Sequence, residues 1–162
     1  YYCDADRECG QSNSDRSGTE KWYGKRYEEV QKGLNASAYE KIPMIPLRMI
    51  ESWILGDLHA IELMYNKKLP VKADAINSEM IWGNKNDPDS NYPKNYLERL
   101  IHSLDSKYKD EKMDANTFKQ IVEVQDILEL RKNCKISFEK FYQDYKKLLS
   151  LETSFHLQDH TI

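Results

Sequence analysis

Two prolines three positions apart, Pro43 and Pro46, stand inside the most apolar short stretch of the first third of the chain, Lys-Ile-Pro-Met-Ile-Pro-Leu-Arg at 41–48. The stretch reads as an extended segment. Proline has no backbone N–H to give to a ladder, so it cannot be a central strand throughout and can pair only near its end. Residues 1–4 read as the end of another buried strand. Between them Thr19 is placed to cap a helix over 20–34, with Tyr23, Tyr27, Val30 and Leu34 at the helical period. A second helical stretch covers 49–66, broken at Gly56-Asp57, where the aspartate can serve as a fresh N-cap. Extended, helix, extended, helices is an α/β order. The expectation is a parallel sheet with flanking helices.

The rest of the chain adds helices. Residues 6–18, rich in Ser, Asn and Gly, predict a mobile loop, and 67–95, with Pro70, Gly83, Pro88 and Pro93, the least regular region. A short helix is expected over 94–104. A strong one is expected over 116–132, capped by Asn116. The last is expected from Ser137 to about 149, with Phe138, Phe141, Tyr142, Tyr145, Leu148 and Leu149 on its apolar side. The tail 151–162 shows little pattern. The 162 residues fit one domain, 1–162, with a helical C-terminal part at 116–150. Because the chain opens directly on Tyr-Tyr-Cys-Asp, a strand preceding Tyr1 is expected to be missing.

Composition limits the function classes. Net charge is −3 and the cations are scattered, so no basic run binds nucleic acid by charge alone. The odd set Cys3, Cys9 and Cys134 contains no Cys-x-x-Cys pair, which argues for free thiols in a reducing compartment, the cytoplasm. No apolar run reaches the length of a membrane span, and no membrane association is expected.

Asp4-Ala5-Asp6 carries the first chemical signal. In extended backbone, residues two apart point the same way. Two carboxylates so placed repel each other unless a cation lies between them, and hard divalent ions such as Mg²⁺ prefer such oxygen ligands. The plainer alternative is a pair of solvated acids at a loop mouth. Glu51 is the second signal, one acid among Ile50, Trp53, Ile54 and Leu55. It lies either on the exposed stripe of a helix or near a metal or Arg48. His59, His102, His156 and His160 form no convincing ligand pattern, and the 10–18 loop lacks P-loop spacing.

Cys-Asp-Ala-Asp-Arg-Glu at 3–8, followed by Ile-Pro-Leu-Arg-Met-Ile-Glu-Ser-Trp-Ile-Leu-Gly-Asp at 45–57, resembles the Toprim-like domain of the DUF4276 and RloB-type families. These are related to the nuclease domain of OLD (overcoming lysogenization defect) proteins. Residues 87–95 and 133–141 are similar to later landmarks of the first family. The resemblance implies a Rossmann-like Toprim fold and a Mg²⁺- or Mn²⁺-dependent endonuclease acting on DNA or RNA. It also implies a role in anti-phage defence beside an ABC- or AAA-type ATPase, and it allows homo-oligomers. It implies that Asp4 and Asp6 are the metal pair, that Glu51 is a further metal-binding or catalytic acid, and that Lys94 neutralises phosphate charge. Such domains carry a glutamate on an earlier strand, which this chain does not contain before Tyr1.

Two alternatives stand beside this reading. A haloacid-dehalogenase-type phosphatase also uses Asp-x-Asp, but has Thr or Val two residues after the second Asp, where this chain has Glu8. A non-catalytic subunit that binds an ATPase partner would use the aromatic-rich C-terminal helices as its interface.

Overall fold

The computed structural model describes residues 2–5, 12, 14–36, 41–71 and 77–158. Seven α-helices lie among them: α1 (Arg16–Asn35), α2 (Ile50–Ile54), α3 (Leu58–Tyr65), α4 (Pro93–His102), α5 (Ala115–Val122), α6 (Ile127–Asn133) and α7 (Phe138–Gln158). A 3-10 turn, Ser106–Tyr108, follows α4.

The expected parallel α/β sheet of a Toprim-like fold does not form. Among the described residues there is no β-strand, and the protein is built of helices. Residues 2–5 and 44–46 instead share a parallel bridge, Tyr2 to Met44, with the Cys3 amide donating to the Met44 carbonyl at 3.2 Å and the Ala5 amide to the Pro46 carbonyl at 3.0 Å. The second segment accepts along this edge, but Pro43 and Pro46 remove two of its donors, so it cannot serve as the centre of a ladder. The segment then ends abruptly at Arg48, whose φ of 73° lies in the left-handed region. That conformation costs a bulky residue about 1–2 kcal/mol. It turns the chain out of extended geometry and into α2.

The helix starts follow local chemistry, with three adjustments to the sequence reading. Asp15, not Thr19, caps α1: its carboxylate accepts from the Gly18 amide at 2.8 Å, and the helix begins inside the expected loop. Thr19 is buried in the first turn, its hydroxyl bonded to the Asp15 carbonyl. The expected single helix over 116–132 is two, α5 capped by Asp114 and α6 capped by Asp126. The break is held from outside, because the Gln125 side chain donates to the Trp53 carbonyl and the Asp126 amide donates to the Asp57 carboxylate at 2.8 Å. Finally, α7 continues through 151–158, where no pattern was legible. The Gly56-Asp57 break is as expected: Asp57 accepts from the His59 and Ala60 amides and opens α3.

Three apolar clusters organise the core. The largest joins Ile54, Leu58, Ile61, Leu97, Ile101 and Ile121, from α2 to α5. A second packs Ala5, Ile45 and Leu47 against Tyr23 of α1. A third centres on Trp53, with Leu130, Cys134 and Phe138 around it. The Trp53 and Phe138 rings meet edge to face at 5.1 Å, and the indole N–H donates to the Ser137 hydroxyl at 2.7 Å. Among the described residues no helix is long and apolar enough to cross a membrane.

Candidate functional site

The bridge between residues 2–5 and 44–46 places Asp4 beside the start of α2. Glu51 stands in the first turn of that helix, and although charged it is only 5% exposed. Its Oε2 atom is buried without a hydrogen-bond partner. Lys94, in the first turn of α4, and Glu98 one turn later complete the surroundings. Burial is the main reason the Glu51 carboxyl is held above its ordinary value; its own backbone amide opposes this. The Asp4 and Glu98 carboxylates push it further up and the Lys94 ammonium pulls it back. Asp4 and Lys94, far from Glu51 in sequence, therefore both lie within its electrostatic reach. Asp4 is half-buried and accepts a hydrogen bond from the Tyr2 hydroxyl at 2.7 Å. The Tyr2 phenol is held well above its usual range, first by its burial and then by that bond and the charge of Asp4.

Asp6 lies outside the described residues, as do Cys9, His160 and residues 7–11 of the expected loop. Among the described residues no three His, Cys, Asp or Glu side chains are gathered as a metal-binding group. The donor set nevertheless suits a hard divalent cation. The Asp4 and Glu51 carboxylates, the latter with a buried oxygen that has no hydrogen-bond donor, form a locus that a cation would relieve.

Arg48 is fully buried, with its guanidinium 5.7 Å from the Trp82 ring centre and 3.4 Å from the Thr19 hydroxyl. His59 lies on the surface near Glu62, and His102 contacts the Glu111 carbonyl, so neither joins the Glu51 locus. Cys134 is a buried free thiol. Burial pushes the Cys134 thiol up to about 12.

Two acids escaped the sequence reading. Glu98 was signalled only by its spacing of four from Lys94. Glu79 carried no signal at all: it lies in an irregular region, yet its buried carboxylate accepts from the Ile136 amide at 2.8 Å, the Ser137 amide at 2.7 Å and the Ser137 hydroxyl at 2.6 Å. It is a cap for α7 supplied from a distant part of the chain.

Fold and site together define a helical protein with a partly buried acidic locus flanked by a lysine. No protein-family model, curated protein or solved structure matches the chain. The resemblance thus rests on residues 3–8, 45–57, 87–95 and 133–141 alone.

Proposed function

We propose that this chain is a metal-dependent hydrolase of nucleic-acid phosphodiesters, with Mg²⁺ or Mn²⁺ held by Asp4, Asp6 and Glu51. The observation that carries the reading is the convergence of Asp4, Glu51 and Lys94, including a buried Glu51 oxygen with no hydrogen-bond donor. A bound divalent ion would polarise a phosphate oxygen and lower the pKa of a water. The chain's own groups do the rest. Asp4 and Glu51 provide oxygen ligands, and the Tyr2 hydroxyl orients the Asp4 carboxylate. Lys94, exposed at the start of α4, offsets the charge that grows on a phosphate in the transition state. Local cations of this kind also let a net-acidic protein approach a polyanion. A reducing cytoplasmic location fits the free thiol of Cys134.

A second reading, a non-catalytic subunit that docks on an ATPase partner, is favoured by one observation. Val122, Val124, Ile127 and Leu128, around the α5–α6 break, are between 43% and 67% exposed. Such a run of exposed apolar side chains marks an interaction surface.

Plasmid DNA and tRNA incubated with the protein and Mg²⁺ or Mn²⁺ separate the readings. Metal-dependent cleavage abolished in Asp4→Ala, Asp6→Ala and Glu51→Gln supports the hydrolase. Cleavage that survives all three substitutions overturns it. Absence of cleavage together with no metal-induced rise in thermal stability shifts the assignment to the docking subunit.

A further inference from the structure

A second polar site lies at the start of α7, apart from the residues assigned above. A cavity of about 200 Å³ is lined by Arg16, Asn77, Glu79, Lys132, Asn133 and Lys135. Among the described residues three cationic side chains thus line one small cavity in a protein whose net charge is −3. Among the described residues Glu79 is the acid in the lining, and both of its oxygens are turned into the amides of Ile136 and Ser137. Its hydrogen bonds run into the end of a helix, and of the cations in the lining Arg16 lies within its electrostatic reach. Arg16 and Lys132 make exposed pairs with Glu20 and Glu129, at 2.8 Å and 3.3 Å. Exposed pairs of this sort are worth little and exchange readily for a better anion. Lys135 has no carboxylate within ion-pair distance among the described residues.

We propose that this cavity binds a dianionic phosphate group, either inorganic phosphate or the terminal phosphate of a nucleotide. The volume sets the scale, since it falls below the range of about 300–1,000 Å³ typical of sites for larger organic ligands. Charge sets the class. Three cations against one helix-bound carboxylate favour a dianion over the single charge of a phosphodiester. The guanidinium of Arg16 supplies paired donors and the two ammonium groups supply point charges, the usual division of labour around phosphate. Asn77 and Asn133 add polar side chains to the wall; the Asn133 amide is held in place by the Gly56 carbonyl at 2.8 Å.

The test is an NMR titration of the full chain with inorganic phosphate and, separately, with thymidine 5′-monophosphate, against sodium chloride at matched ionic strength. The expected result is saturable shifts at Asn133 and Lys135 with both phosphates and none with chloride. Tighter binding of the nucleotide identifies a nucleotide phosphate as the occupant, and equal binding identifies phosphate itself. Lys135→Ala should weaken binding roughly tenfold or more, as loss of a charged hydrogen bond does. Lys135 is exposed, so the variant should fold normally. The control Lys85→Ala, at an exposed loop position, should bind as the wild type does. Shifts that follow ionic strength alone, or that are equal in Lys135→Ala and the wild type, overturn the proposal. Should Lys135→Ala fold poorly, Arg16→Gln provides the same comparison from the opposite wall.

Discussion

Replacing Glu79 with alanine strikes α7 without touching a residue of that helix. The carboxylate receives three hydrogen bonds, from the Ile136 amide, the Ser137 amide and the Ser137 hydroxyl, and it is 2% exposed. A buried donor left without a partner costs about 1–3 kcal/mol, and loss of an N-cap about 1 kcal/mol. Ser137 is buried and bears the larger share, while Ile136 is half-buried and partly reached by water. The expected cost of Glu79→Ala is about 3–5 kcal/mol, a large part of the stability of a domain this size. Glu79→Gln keeps one acceptor oxygen but turns an amide N–H₂ toward one of the donors, so about 1–2 kcal/mol is expected. Urea unfolding followed by tryptophan fluorescence measures both. A cost below 1 kcal/mol for alanine, or equal costs for alanine and glutamine, would refute the reasoning. The pH dependence adds a sign. Burial, opposed by the Ser137 hydroxyl and the two amides, leaves the Glu79 carboxyl above its ordinary value. A raised folded-state value stabilises most below the unfolded value and fades as pH rises through the folded one. The stability of the wild type relative to Glu79→Gln should therefore fall as pH is raised from about 4.

Other expectations rest on separate features. A Cβ added at Gly56 would lie 2.5 Å from the Cys134 sulfur, so Gly56→Ala should cost about 1–3 kcal/mol in chemical denaturation through overpacking. With its thiol buried and pushed up to about 12, Cys134 should resist alkylation at pH 8 in the native protein and react once unfolded, as read by mass spectrometry of its peptide. Burial raises the Glu51 carboxyl, so the wild type should lose stability relative to Glu51→Gln as pH rises through the folded value. Thermal melts between pH 4 and pH 9 check this, and a pH-independent difference would contradict it. Asp57→Ala removes the acceptor for the His59, Ala60 and Asp126 amides, and should lower stability by about 2–3 kcal/mol in the same urea assay.

What could be read along the chain was local. Asp57 caps α3 through amides two and three residues on, and Tyr23 packs against Ala5 and Ile45 as helical spacing required. The failures were interactions between distant segments. The α5–α6 break falls where apolar spacing runs on, and it is fixed by Asp57 and the Trp53 carbonyl, about 70 residues away. Glu79 gave no signal because the helix it caps begins 59 residues later. The sheet failed for another reason. Two extended segments were visible, but pairing counts both partners' donors, and Pro43 and Pro46 remove two of them from the second segment. For the candidate site, Asp4, Glu51 and Lys94 were chosen in sequence and do lie near one another. Glu98 arrives with Lys94 because residues four apart share a helix face.

The Asp57 carboxylate also has a mechanical consequence. One oxygen holds the start of α3, and the other holds the Asp126 amide, whose own side chain caps α6 through Leu128. Leu58 and Ile61 of α3 belong to the largest apolar cluster, whereas Leu130 of α6 belongs to the cluster around Trp53. A single side chain thus couples the opening of two helices rooted in different parts of the core. Amide exchange at Ala60, Asp126 and Leu128 should report one shared opening free energy rather than three local ones. Cutting that link would divide one cooperative unit into two.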